Sequence, residues 1–272
     1  MITGTGITFS RGSRTILDGI DITAHDGRVL GLVGPNGSGK TTLLRCLFGS
    51  LTPDSGTVLI DSTPLRELNK KELAHDLSVV TQEHESDLPV SIAELVMLGR
   101  LPYLGLTGRP TEEDEFIVEE SLKSVGALHL ATREFSALSG GEKQRALIAR
   151  GLAQRARHIL LDEPTNHLDI RFQYDIMDLI STLPCAIIVV LHDLNLAARY
   201  CDDLLVLHEG RLVTCGPTEE VLVPEVIEPV YRLPVKRIET SLGIVLTFDK
   251  ASKEFLDNVK PVTYAQGCRR VH

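Results

Sequence analysis

Nine residues set the frame for the whole chain: "GPNGSGKTT" at 34–42. An apolar run, "VLGLVG" at 29–34, leads in, and "KTTLLRCLFG" at 40–49 leads out with helical spacing. Gly49 is a natural stop for that helix. A buried strand, a glycine-rich turn and a helix can be joined in few ways. Gly34, Gly37 and Gly39 permit backbone conformations that side chains resist, so the N–H groups of the turn, which Pro35, Asn36 and Ser38 complete, can point inward around an anion. The helix N-terminus adds its dipole, Lys40 adds a charge, and the Thr41 hydroxyl, followed by Thr42, suits Mg²⁺. The spacing G-x-x-x-x-G-K-[ST] between strand and helix therefore predicts a site for the phosphates of a nucleoside triphosphate. A glycine turn with a surface lysine is the bland alternative, and it leaves the flanking strand and helix unexplained.

A phosphate loop of this kind needs an open sheet around it. Short apolar runs alternate with helical patterns along much of the chain, which is the signature of an α/β fold with a mainly parallel sheet. "TVLID" (57–61), "LSVVTQ" (77–82), "HILLDE" (158–163) and "AIIVVLHD" (186–193) read as strands. Helices are expected at about 169–182 and through "LNLAARY", with "TEEVL" and "PEVIEPVY" as short amphipathic ones. "DLLVLHEGRLVTCG" (203–216) reads as a hairpin turning at Glu209-Gly210. Residues 91–136 have helical periodicity and no convincing strand, so they read as a helical subdomain inserted in the core, at about 88–155. The last forty or so residues hold one strand candidate, "GIVLTF" (243–248), and are set apart as a C-terminal extension, 233–272, after a main domain of 1–232.

Carboxylates stand where a phosphate loop would use them. In an open α/β sheet, ligands sit at the carboxyl ends of strands. "HILLDEP" ends an apolar strand in Asp162 and Glu163. Asp162 is placed to hold Mg²⁺ through water, and Glu163 to orient or deprotonate the attacking water. Alone, Asp-Glu after a short apolar run is common; the phosphate loop on the same chain changes its weight. His192 ends "VVLHD" at the same edge and reads as a γ-phosphate contact, against the bland reading of a structural histidine. Gln82 ends "LSVVTQ" in a similar position and carries little meaning alone.

A second glycine-rich stretch, "LSGGEKQR" at 138–145, opens another helix. Ser139 suits an N-cap and Glu142 the first turn. A well-capped helix is one reading. The other is a second phosphate site, because Ser139, Gly140 and Gly141 leave adjacent N–H groups clear of bulky side chains.

Composition closes off other classes. A net charge of −9 gives no basic surface for general nucleic-acid binding. No run approaches the eighteen apolar residues of a membrane span, and the N-terminus lacks the pattern of a secretory signal. Five scattered cysteines with no C-x-x-C spacing fit reduced thiols of a cytoplasm.

Taken together, the motifs resemble the nucleotide-binding subunits of ATP-binding cassette (ABC) transporters over roughly residues 2–230. Their order matches: phosphate loop (Walker A) 34–42, Gln82 of the Q-loop, signature "LSGGE" 138–142, Walker B 158–163, D-loop "NHLD" 166–169 with Asp169, and switch His192. The resemblance implies a phosphate-loop core with an N-terminal antiparallel β-subdomain and the inserted helical subdomain. It implies ATP and Mg²⁺ as ligands, with Gln82 joining Thr41 and Asp162 at the metal. Two copies would pack head to tail, each ATP lying between the Walker A loop of one and Ser139, Gly140, Gly141 and Glu142 of the other. Where the family usually places an aromatic residue to stack on adenine, this chain has Arg11, whose guanidinium plane can stack on a base.

A narrower resemblance lies in "MLGRLPYLG" (97–105), "DEPTNHLDI" and "LHDLNLAARYCDDLLVLHEGRLVTCGPTEEVL". These are similar to the ATPases of iron-siderophore, haem and cobalamin importers. That implies a peripheral protein at the cytoplasmic membrane face, a separate membrane permease received near Gln82 and residues 83–105, and, indirectly, an external substrate-binding protein. Two alternatives stay open. One is an exporter ATPase. The other is a soluble cassette acting on nucleic acid or ribosomes, for which the chain shows neither long heptads nor a second cassette.

Overall fold

The computed structural model describes residues 1–81, 89–104, 108–241, 243–265 and 267. The chain divides into two compact units: Met1–Glu67 with Ala186–His272, and Leu68–Cys185.

The first unit starts with strands β1 (Ile2–Arg11) and β2 (Arg14–Ala24), β3 (Val29–Val33), helix α1 (Lys40–Leu47), and strands β4 (Ser55–Ile60) and β5 (Thr63–Pro64). The second unit supplies α2 (Lys70–Asp76), β6 (Leu77–Val80), α3 (Ile92–Met97), α4 (Glu112–Ser124), α5 (Gly140–Ala153), β7 (His158–Asp162) and α6 (Ile170–Ser181). The chain then returns to the first unit with β8 (Ala186–Val190), α7 (Leu194–Tyr200), β9 (Asp203–His208), β10 (Arg211–Pro217), α8 (Thr218–Val221), α9 (Pro224–Tyr231), β11 (Val235–Thr240), β12 (Gly243–Phe248) and α10 (Lys253–Asn258).

In the first unit, the order β2-β1-β4-β5 makes an antiparallel sheet. Beside it β3 pairs in parallel with β8 on one side and β9 on the other, so that Leu32 stands opposite both Val190 and Leu205. Every residue of β3 and β8 is buried, which is why both read as continuous apolar runs and not as alternating ones. This pairing sends the phosphate loop, after β3, and His192, after β8, to the same edge. The turn from β9 to β10 has positive φ at both Glu209 (48°) and Gly210 (78°), the conformation of a tight hairpin.

In the second unit β6 and β7 are parallel, with Val80 opposite Leu161. Helices α3, α4 and α5 pack against one another over Leu95, Val96, Ile117, Leu122 and Ile148, all buried. An ion pair sits inside this bundle. Arg100 donates to Asp114 at 2.9 Å and to the Ala153 carbonyl at 2.9 Å, and its guanidinium lies 4.0 Å from the Tyr103 ring centre. The Asp114 carboxyl is held below its ordinary value, first by the Thr111 backbone N–H and, against the cost of burial, also by Arg100.

The fold is the expected α/β class, with mixed sheets, an antiparallel β-subdomain and a helical insert. Three details differ from the sequence reading. The stretch 235–240, "VKRIET", is a strand paired with "GIVLTF", Val235 opposite Phe248. Its charges kept it from reading as one, because one face is exposed throughout and the other is buried only at Val235. Residues 253–258 form a short helix in what read as a polar end. Finally, Cys215 is disulfide-bonded while Cys46, Cys185 and Cys201 are not. The expectation of five reduced thiols therefore fails at Cys215; sequence spacing says nothing about which cysteines a fold brings together.

Candidate nucleotide and catalytic site

The phosphate loop is held from within the first unit. Gly34 has φ 145°, and a Cβ there would collide with the Leu207 carbonyl oxygen of β9. Gly39 has φ 103°, and its Cβ would lie 2.8 Å from Leu17 and 3.1 Å from the Ile16 carbonyl. Lys40 is buried and donates back to the carbonyls of Gly34 (2.7 Å) and Pro35 (3.0 Å), which ties its charge across the loop. The N–H of Gly210 donates to the Ser38 carbonyl at 3.1 Å, so the β9–β10 hairpin braces the loop from behind. Helix α1 starts at Gly39 with no side-chain cap and no acidic residue in its first turn. The Ser38 hydroxyl is buried without a hydrogen-bond partner among the described residues. A helix start with neither a capping side chain nor an acidic residue, beside an orphaned hydroxyl, is what a phosphate group would complete. Asn36 and Gly37 are exposed; Pro35, Thr41 and Thr42 are half-buried.

His192 is exposed at the end of the β8 segment, one residue before Asp193 caps α7. Arg11 closes β1, exposed, opposite Arg14 across the hairpin. Sequence reasoning missed Tyr231. Burial pushes its phenol pKa up, with the backbone of Gly34 pulling the other way, and its buried hydroxyl has no hydrogen-bond partner among the described residues.

In the second unit, Asp162 is the buried last residue of β7, and His158, which interrupted the apolar pattern, is buried at its start. Glu163 follows in the left-handed region, φ 54°, where a side chain is held only by its surroundings. Its carboxylate accepts a hydrogen bond from the side-chain amide of Asn166. The Gln173 amide donates to the carbonyls of Thr165 (3.2 Å) and Leu168 (3.1 Å) and staples the D-loop turn. Neither Asn166 nor Gln173 stood out in the sequence as support for Glu163. The Asn166 pairing could have been suspected from the three-residue offset alone.

The signature forms a cleft of about 520 Å³ with the D-loop, lined by Ser139 to Glu142, Arg145, His167 to Asp169 and Phe172. Ser139 and Glu142 make a complete capping box. The Glu142 carboxylate accepts from the Ser139 N–H (2.9 Å) and hydroxyl (2.7 Å), and the Glu142 N–H donates back to the Ser139 oxygen. This corrects the picture of three open N–H groups, because that of Ser139 is already engaged. The glycines have a second reason. A Cβ on Gly140 would touch His167, and one on Gly141 would stand 3.2 Å from the His167 carbonyl. The guanidinium of Arg145 stacks 4.3 Å from the Phe172 ring centre at the cleft wall, and Asp169 is exposed on its rim. Gln82 lies outside the described residues, so its place at the metal is not part of this geometry.

A parallel strand running into a glycine loop, a tied-back lysine and carboxylates ending another strand define a phosphate-loop nucleotide-binding protein. Residues 17–166 match the family described as ABC transporter. The chain is 41% identical over 85% of its length to the hemin import ATP-binding protein HmuV of Streptomyces coelicolor, covering 83% of that protein. It is 38% identical over 85% of its length to the ferric enterobactin transport ATP-binding protein FepC of Escherichia coli, covering 86% of it. The dimeric structure of a bacterial ABC transporter cassette superposes with a TM-score of 0.74 at 28% identity, covering 80% of this chain and 99% of that one. The chain belongs to the ABC transporter family, and ATP hydrolysis is the activity of that family's cassettes.

Proposed function

We propose that this chain is the ATP-hydrolysing subunit of an importer for an iron-siderophore, haem or cobalamin-type chelate, working as a homodimer at the cytoplasmic membrane face with a separate permease. The import direction rests on the relative named for hemin import, and the chelate class also on the one named for ferric enterobactin transport. No helix among the described residues is long and apolar enough to cross a membrane, and in this reading a separate permease supplies the path. Leu98, Leu101 and Tyr103 are exposed while Arg100 between them is buried against Asp114, and this apolar surface suits a permease contact. An external binding protein would deliver the chelate to that permease. Nucleic acid is not an expected partner.

The observation that carries the dimer is the signature cleft. It opens Ser139 and Gly140 to solvent, and Ile170 beside it is 75% exposed. An open, partly apolar cleft at a helix start fits the outer face of a triphosphate held by a second copy.

In this reading Gly34 to Thr42 wrap the phosphates, with Lys40 supplying charge and the Ser38 hydroxyl gaining a partner. The hard oxygen donors Thr41 and Asp162 fit Mg²⁺, with Gln82 as a further donor, and the ion would neutralise charge on the phosphates. Glu163, oriented by Asn166, takes the proton of the attacking water. His192 contacts the γ-phosphate, and Arg11 stacks on the base. Ser139, Gly140, Gly141 and Glu142 of one copy, with Asp169 of the D-loop, close over the nucleotide of the other.

The test is Glu163→Gln. It should keep ATP affinity, slow hydrolysis at least about a hundredfold and trap an ATP-dependent dimer in size-exclusion chromatography. Near-normal turnover would remove Glu163 from the role. Reconstitution with a permease and candidate chelates, read as chelate-stimulated ATPase, identifies the cargo.

A further inference from the structure

The C-terminal hairpin grips the helix that follows His192. Asn195, in the first turn of α7, donates through its side-chain amide to the Leu246 carbonyl at 3.1 Å, and its side-chain oxygen accepts from the Leu246 N–H at 2.7 Å. One side chain thus satisfies both backbone groups of an edge-strand residue, as a neighbouring strand would. Both groups point away from β11, so the β11–β12 ladder does not need Asn195 to form.

The hairpin is itself fastened. Val235 donates to Glu228 at 2.9 Å, Arg237 donates to the Glu219 carbonyl at 2.6 Å, and Leu246 is fully packed. Helix α7 has only seven residues, too short to be stable by itself, and depends on tertiary contacts. At its start Asp193 accepts from the N–H groups of Asn195 (2.7 Å) and Leu196 (3.2 Å). His192 is next in the chain. Asn195 is therefore held at both its backbone and its side chain, three residues from the histidine and at the point where the chain leaves β8.

We propose that Asn195 is a positioning residue for ATP hydrolysis: clamped on Leu246, it makes the C-terminal hairpin a fixed brace that holds His192 at the nucleotide edge. The proposal rests on His192 being the γ-phosphate contact. Displacing such a contact by a fraction of an ångström slows chemistry without loosening the rest of the phosphate site.

The experiment compares Asn195→Ala with the unchanged full chain. Steady-state ATPase should show kcat about three- to tenfold lower and KM for ATP within about twofold. ATP-binding stoichiometry should stay undiminished. Asn195→Asp puts an oxygen against the Leu246 carbonyl; it should slow turnover as well and serves if the alanine variant does not fold. Thr240→Ala, which alters the hairpin turn away from α7, should leave kcat unchanged. Unchanged kcat in both Asn195 variants overturns the clamp, as does a fall in kcat that merely tracks lost ATP-binding sites. His192→Ala, assayed alongside, separates the two readings. If it turns over normally, the His192 assignment fails and the clamp with it. If it is slow while the Asn195 variants are not, only the clamp fails.

Discussion

Helices α1 and α5 both begin at a glycine-rich turn, yet they are finished in opposite ways. The start of α1 has no side-chain cap and no carboxylate, and Gly34 and Gly39 of its loop are forced by β9 and β2 pressing on them. The start of α5 carries its own anion, because Glu142 closes a capping box with Ser139. Its glycines make room for the D-loop backbone instead. The first site is shaped for a phosphate; the second is internally satisfied and offers a surface. A helix N-terminus already matched by a carboxylate has less to offer as the main anion holder. It is better suited to closing over a nucleotide that another loop holds.

The largest effect should come from breaking the packing of the first site. Gly34→Ala puts a methyl group into the Leu207 carbonyl at φ 145°. The expected loss is about 3 kcal/mol of stability, together with ATP binding. Gly37→Ala is the matched control, since φ is 77° but nothing lies within 4 Å of its Cβ. It should cost only about 1 kcal/mol. Denaturant unfolding with ATP titration reads both. Equal costs would mean that β9 does not hold the loop.

Ser139→Arg tests the surface role of the second site. It should leave the ATP affinity of the isolated subunit unchanged while hydrolysis falls about tenfold or more through lost pairing. If ATP affinity collapses instead, the signature serves its own chain's nucleotide, and the contrast between the two helix starts disappears.

Much of this contrast was written in the sequence, but not its causes. "GPNGSGKTT" and "LSGGE" are local patterns, so their place at helix starts was legible, as were Asp162 and Glu163 at a strand end. The collision that makes Gly34 necessary comes from Leu207, and the brace on Ser38 from Gly210, both some 170 residues away by their numbering. No local pattern carries such a contact. Strand β11 was hidden because "VKRIET" carries charges on both of its faces, one of which is exposed throughout. Asn195 looked like an ordinary polar residue in a helix, and only Leu246, brought close by the fold, gives it a partner. The Cys215 disulfide was lost for the same reason.

The smallest effect discriminates by its sign. Hydrogen bonds from Ser139, first its side chain and then its backbone, lower the folded pKa of Glu142 below the ordinary 4.5, with Arg133 and Arg145 adding to the shift. A carboxyl whose pKa is lowered on folding contributes stability that is complete above the unfolded value. That contribution is lost as pH falls from about 4.5 through the folded value. Solvent screens this half-exposed group, so the contribution is about a few tenths of a kcal/mol. Glu142→Gln keeps an acceptor for the Ser139 N–H but has no charge to lose. Its urea midpoint should lie slightly below that of the unchanged protein at pH 7, and the gap should close as pH falls below 4.5. The phosphate-loop helix has no acidic residue in its first turn and offers no comparable titration. A gap that is the same at both pH values would mean that Glu142 acts only through its shape. The electrostatic difference between the two helix starts would then have no consequence for stability.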